Sequence, residues 1–340
     1  VVALAIDKLR SGDGFINGDD TGVGKGRAAA AMILWGTRNG KIPVFVSAKS
    51  DLYSDMYRDL KNIGRGDLKF AITNHKVKVI DASKRISEKG RLVLLNSKRD
   101  ADNLISKLAS DGTMPNGEVA LFTSYDQLKG PSDRRRAIEG LVKTGKAMFI
   151  LDESHTAAGD PTTASPAKSR SENLNEFFLK ILSGKGLFEG SVMPDGWTPP
   201  PTYYSSATFA KRSGNLPVYL RTHIRLVSDT EEPIDIVSAF GDDNNLLQVA
   251  TEMLAEAGQY IRRERSYAGI ADRFVFEADD SNSERDARLM DSATDVLRSV
   301  AMADRAFIQD LTDPAYQSSL ISALAPPGSI VTGGGGQIQN

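Results

Sequence analysis

Residues 18–27 read GDDTGVGKGR, and the reading of the whole chain turns on them. Gly22, Gly24 and Gly26 surround Lys25, so the backbone can curl and aim successive N–H groups at one anion. Upstream, GFING (14–18) reads as a strand. Downstream, RAAAAMILWGTR (27–38) is built of strong helix formers and meets a stop signal at Asn39-Gly40. A glycine loop between a strand and a helix is the setting in which a helix N-terminus and a lysine hold phosphates. Alone, the same residues would be a glycine turn beside an exposed lysine. Thr21, Gly22, Val23, Gly24, Lys25, Gly26 and Arg27 are therefore the expected nucleotide-binding residues, with Lys25 on the β- and γ-phosphates of ATP.

One position departs from the usual loop. A Ser or Thr normally follows the lysine and gives its hydroxyl to Mg²⁺. Here that position is Gly26, and Thr21 or Asp20 are the candidates to replace the missing ligand.

Working outward, the pattern is that of an α/β chain. VVALAIDKLR (1–10) reads as a short amphipathic helix, and IPVFVSA (42–48) as a buried parallel strand. Strand, phosphate-type loop, helix, strand is the opening of a mostly parallel, doubly wound α/β sheet flanked by helices. SDLYSDMYRDLKNIG (50–64) reads as a helix capped by Ser50 or Asp51. KVKVID (76–81) and RLVLL (91–95) read as strands, and 99–110 as a helix. EVALFTSYDQL (118–128) is a strand entering a turn, RRRAIEGLVKTG (134–145) a helix, and KAMFILDESH (146–155) an apolar strand ending in acids. Residues 156–176, rich in Ser, Thr, Ala and Pro, suggest a long loop, and PTYYSSAT (201–208) a further strand.

The pattern changes after about residue 233, which suggests an ATPase lobe over 1–233, a helical and mixed extension over 234–325, and a glycine-rich linker over 326–340. In the extension, 246–266 reads as helix, 267–278 as a strand segment and 283–311 as a long charged helix.

Composition narrows the function classes. Of 340 residues, 42 are Lys or Arg and 44 Asp or Glu, so the net charge of −2 confines any nucleic-acid surface to a local patch. There is no cysteine, which excludes disulfides and thiolate zinc sites. His75, His155 and His223 lie too far apart in sequence for a metal-ligand motif. No run approaches the roughly 20 apolar residues of a membrane span, so no membrane role is expected. The chain opens on Val1 and reads as an excerpt of a longer polypeptide.

Two further motifs carry chemistry. FILDESH (149–155) delivers Asp152 and Glu153 at the end of an apolar strand, where doubly wound sheets bind ligands. Asp152 is the expected Mg²⁺ ligand, and Glu153 the group that orients or deprotonates an attacking water. His155 is placed to sense the nucleotide. SSAT (205–208) ends another strand, and Ser206 and Thr208 are candidates to hydrogen-bond His155 or Asp152 and couple hydrolysis to movement. Singly, these motifs could be a helix cap and an ordinary Ser/Thr turn. Their order after a phosphate loop gives them weight.

In that order the motifs resemble those of superfamily 2 helicases, and more narrowly the Strawberry notch family. GDDTGVGKGR matches that family's loop, including the missing hydroxyl residue. VFVSAKSDLYSDMYRDLKNIG (44–64), ALFTSYDQLKG (120–130), FILDESHTA (149–157), YYSSATFA (203–210) and AGQYIRRERSYAGIADRFVFE (257–277) extend the resemblance over about residues 12–280. It implies a RecA-like P-loop NTPase lobe and an ATP- and Mg²⁺-dependent helicase or translocase with Lys25, Asp152, Glu153 and His155 in the catalytic set. Ser47, Lys49, Ser50, Thr123 and Ser124 would lie near a nucleic-acid backbone, DNA being favoured over RNA. The implied location is the cytoplasm for a bacterial or phage protein, favoured by the compact loops, and the nucleus for a eukaryotic one. The basic runs Arg134–Arg136 and Arg262, Arg263 and Arg265 read first as solvated faces, the latter softened by the family match.

Superfamily 2 motors hydrolyse ATP between two RecA-like lobes, and no second lobe is legible here. The chain alone is therefore expected to bind nucleotide weakly and hydrolyse it slowly, its second lobe being supplied by a longer chain or a partner. The competing readings are a helicase-like scaffold with little or no ATPase, and a P-loop small-molecule kinase. Intact Lys25, Asp152 and Glu153 disfavour the first; SSAT and the 44–64 segment have no role in the second.

Overall fold

The computed structural model describes residues 1–20, 22–157, 170–209, 213–227, 239, 244–264 and 291–292. Two compact units divide the chain, Val1–Ser266 and Tyr267–Asn340. In the second unit only the helical residues 291–292 are described, so the expectations for 267–278, 283–311 and the glycine tail fall almost wholly outside the described residues.

The first unit is a RecA-like α/β sandwich. Its strands are β1 (Gly14–Asn17), β2 (Ile42–Ser47), β3 (Phe70–Ile72), β4 (Lys78–Ile80), β5 (Leu92–Leu95), β6 (Ala120–Ser124), β7 (Ala147–Asp152), β8 (Thr202–Ser205) and β9 (Tyr260–Ile261). Seven form one parallel sheet in the order β3-β6-β2-β7-β8-β1-β9. The other two, β4 and β5, make a small antiparallel ribbon.

The central strands are apolar throughout because both faces of the sheet are covered. Along β7, Ala147, Phe149 and Leu151 point to one core, and Met148 and Ile150 to the other. Helices α1 (Val2–Arg10), α2 (Lys25–Arg38) and α3 (Leu52–Asn62) cover the second face. The first is covered by α4 (Lys98–Asp111), α5 (Asp133–Lys143), α6 (Arg170–Ser183) and α7 (Asn244–Glu256). Ser97 caps α4 by accepting from the Asp100 amide at 3.1 Å, and Ser132 caps α5 through the Arg135 amide at 3.4 Å.

Three local readings are corrected. The stretch 156–176 is not all loop: a helical turn spans Ser154–Ala157, and α6 begins at Arg170. The buried Leu174, Phe177, Phe178, Ile181 and Leu182 have the i, i+3, i+4, i+7, i+8 spacing that drives that helix against the sheet. Asp51 takes the N-cap position of α3 with helical dihedrals and makes no side-chain cap bond. The 246–266 helix ends ten residues early, because Gly258 turns the chain at φ 69° and Tyr260–Ile261 pair with β1. The boundary expected near 233 thus falls inside the first compact unit, which takes in α7 and β9.

Register aligns the strand ends that matter. Asn17 of β1 and Asp152 of β7 both pair with Ser205 of β8, and Ser47 of β2 pairs with Ser124 of β6. The loops carrying the three sequence motifs therefore leave the sheet at one edge.

Candidate active site at the carboxyl edge of the sheet

A cavity of about 690 Å³ opens at that edge, lined by Gly22–Arg27, by Leu52, Asp55, Met56, Arg58, Asp59 and Asn62 of the α3 region, and by Asp152 and Glu153. The loop after β1 turns through Gly24 at φ 97°, which serves as the N-cap of α2 without a side-chain cap bond. A left-handed residue there lets the first free amides of α2 face the cavity. The Lys25 ammonium nitrogen is buried and has no hydrogen-bond partner among the described residues. An unpaired buried cation is costly unless an anion joins it. The loop and Lys25 therefore fit the phosphates of a nucleotide. Thr21 lies outside the described residues; Gly22, Gly24 and Arg27 are exposed.

Asp152 and Glu153 enter the same cavity from the far side of β8. Burial, with the neighbouring Glu153 charge, pushes the Asp152 carboxyl up to about 6; the Ser205 hydroxyl and the Lys25 charge pull the other way. Such a carboxylate is under-compensated until a cation arrives, which suits a Mg²⁺ ligand. Among the described residues no three acidic or histidine side chains form a metal cage by themselves. With at most two such side chains at the site, phosphate oxygens and water would complete the shell of any bound Mg²⁺. Glu153 sits at φ 49°, in the left-handed region that β-carbon-bearing residues avoid. Backbone strain of this kind gathers at sites where position outranks stability.

His155 joins the acidic motif to the Ser-Ala-Thr motif. Its Nδ1 lies 2.8 Å from the Ser206 Oγ and 3.4 Å from the Glu153 carboxylate. Ser206 is fully buried, its amide donates to the Asn17 carbonyl at 3.0 Å, and its hydroxyl accepts from the Thr208 amide at 3.2 Å. Thr208 is itself exposed. The neighbouring Ser154 hydroxyl meets the Tyr219 hydroxyl at 3.1 Å.

The residues expected near a nucleic-acid backbone divide in two. Ser47, Thr123 and Ser124 are buried. The Ser47 hydroxyl donates to the Lys49 carbonyl, the Thr73 hydroxyl to Thr123 Oγ1, and the Asn74 amide to Ser124 Oγ. Lys49 is exposed and Ser50 half-buried on the loop after β2. The basic triplet on α5 is engaged: Arg134 donates to the Thr73 carbonyl, half-buried Arg135 to the Leu128 and Asn173 carbonyls, and Arg136 pairs with Asp133.

Two contributors lacked any local sign. Fully buried Asp19 is gripped by Arg263 beyond β9, so Arg263, itself exposed, braces the start of the phosphate loop from the solvent side. Its neighbour Arg262 pairs with Glu264 at 2.9 Å. Asp59 of α3 is the second: it lies against Gly26. Only its place in the cavity, set by the packing of α3 on α2, reveals it.

Solved structures of a Sulfolobus solfataricus SWI2/SNF2 ATPase core resemble the chain: one in complex with dsDNA at 10% identity and TM-score 0.42, and the core domain alone at 12% and 0.43. Each covers 95% of this chain, which spans only 55% and 54% of theirs. No curated protein sequence matches. Among the described residues no helix is long and apolar enough to cross a membrane. The model of the family described as "P-loop containing NTP hydrolase pore-1" matches residues 6–286, and the chain belongs to that family.

Proposed function

We propose that the chain is the first RecA-like lobe of an ATP-driven nucleic-acid motor of the superfamily 2 helicase type, similar to Strawberry notch proteins. The observation that carries this reading is the meeting of the buried Lys25 ammonium, which has no hydrogen-bond partner among the described residues, with Asp152 and Glu153 in one cavity, and His155 tied to Ser206 behind them. In this reading the loop amides and Lys25 hold the β- and γ-phosphates, and Asp152 holds the Mg²⁺. Bound Mg²⁺ would neutralise charge developing on the transferred phosphoryl oxygens. Glu153 accepts the proton of the attacking water. The His155–Ser206 bond passes the state of the site to β8 and the strand beside it. Exposed Lys49 and half-buried Ser50 face the track, with DNA favoured over RNA. A second lobe, in a longer chain or a partner, supplies the arginines that stabilise the transition state, an effect worth about 10³–10⁵ in rate. Residues beyond the first compact unit would form the accessory extension and linker.

The test is nucleotide-dependent DNA binding by the 340-residue chain, with turnover measured in parallel. Glu153→Gln is expected to trap ATP and to hold DNA more tightly in its presence. DNA binding indifferent to nucleotide in both proteins would favour a scaffold and contradict the motor reading.

A further inference from the structure

The missing hydroxyl after Lys25 leaves a question of coordination, and the packing of α3 on α2 answers it. A Cβ built on Gly26 would overlap the Asp59 Oδ2, with the Asp59 Cγ 3.1 Å and Oδ1 3.9 Å from that point. The carboxylate oxygen thus fills the space where a Ser or Thr side chain would stand. Asp59 lines the same cavity as Lys25, Asp152 and Glu153, and its side chain is only 12% exposed. Its one ion-pair partner among the described contacts is Arg58, at 3.6 Å, which bonds Asp55 more closely at 2.7 Å.

We infer that Asp59 supplies the oxygen ligand that Gly26 lacks, and that the nucleotide-bound divalent cation is held between Asp59 and Asp152. This rests on the nucleotide reading above. A hard cation accepts a carboxylate in place of a hydroxyl. Glycine after the lysine is then a steric requirement, because any side chain there would displace the Asp59 oxygen. The two positions exchange roles: the ligand has moved from the loop to the facing helix. A merely structural Asp59 would instead serve as a counter-charge to the N-terminus of α2, and would not touch the metal dependence of binding.

The discriminating quantity is the ratio of affinities for a fluorescent ATP analogue with Mg²⁺ and with EDTA, measured on the full 340-residue chain. Asp59→Ala and Asp59→Asn are expected to cut that ratio by about 10–100-fold. Affinity in EDTA should hold or rise, since one anion no longer faces the phosphates. Adding Gly26→Ser to Asp59→Ala should recover much of the ratio, because the serine then has room and offers the usual hydroxyl. Because the ratio is taken within each protein, Asp59→Asn carries the test should Asp59→Ala fold poorly. An unchanged ratio in the Asp59 variants, with nucleotide still bound, overturns the inference and leaves the nucleotide site standing. No binding by the unaltered chain, with or without Mg²⁺, overturns the nucleotide reading and this inference together.

Discussion

Arg263 grips both carboxylate oxygens of Asp19, with Nε at 3.1 Å from each and Nη2 2.6 Å from Oδ2, across 244 positions of sequence. The backbone reinforces the clasp. The Arg263 amide donates to Asp19 Oδ1, the Asp20 amide to the Arg263 carbonyl, and the Gly18 amide to the Ile261 carbonyl. The entry to the phosphate loop is therefore fastened to the edge strand β9. Removing the guanidinium would strand a fully buried carboxylate. Arg263→Ala should cost about 1–3 kcal/mol in chemical denaturation, the worth of a buried acceptor left unsatisfied, and weaken nucleotide binding with it. Adding Asp19→Asn should recover part of the stability, since no buried charge is then left unpaired. Equal losses in the single and double variants would remove the clasp from the account.

Ser206→Ala tests the link between the acidic and Ser-Ala-Thr motifs. It deletes the 2.8 Å contact with His155 while leaving the cavity wall intact. Nucleotide affinity should change little, and nucleic-acid-stimulated turnover should fall by about tenfold, the worth of one good hydrogen bond. A matched loss of affinity and turnover would make Ser206 a binding residue and not a coupling one.

Glu153 offers a separate test of strain. Its left-handed backbone is acceptable to glycine and costs a larger residue about 1 kcal/mol. Glu153→Gly should therefore unfold at higher denaturant concentration than Glu153→Gln, although both lose hydrolysis. Equal stability in the two variants would show that the fold bears no strain at this position.

The raised Asp152 carboxyl predicts a pH dependence of stability in the nucleotide-free chain. Its folded value, about 6, lies above the ordinary carboxylate value, so the folded state binds the proton more tightly than the unfolded state. Its contribution is favourable at low pH and is lost as pH rises from about 4 through 6. Over that whole range the loss is on the order of 3 kcal/mol. Comparing unfolding at pH 5 and pH 7 in the unaltered chain and in Asp152→Asn isolates it: the variant should show the smaller fall. The same fall in both would assign the effect to other groups.

The sheet was legible wherever strands are long and bounded by turns. GFIN, IPVFVS, ALFTS and AMFILD are each buried on both faces, and continuous apolar runs announce that. The three motifs were legible because each sits where a strand stops. What escaped depends on distant partners. Two-residue β9 is a strand only because the edge of β1 is open to it, and its flanks look helical in isolation. The helix α6 hid behind a Ser/Thr/Pro-rich stretch that reads as loop. Arg263 looked like part of a basic run, since nothing near it in sequence names Asp19. Asp59 was one acid among several in an amphipathic helix, until the packing of α3 on α2 set its oxygen against Gly26.

The central claim is that Lys25, Asp152 at the end of β7 and Glu153 just after it act on one triphosphate. Its most direct measurement is calorimetric titration of ATP with Mg²⁺ into the unaltered chain and into Lys25→Ala. The account predicts binding by the first and a loss of roughly 10–100-fold or more in the second, the worth of a charge-assisted hydrogen bond in a buried site. Equal affinity in the two proteins would contradict it.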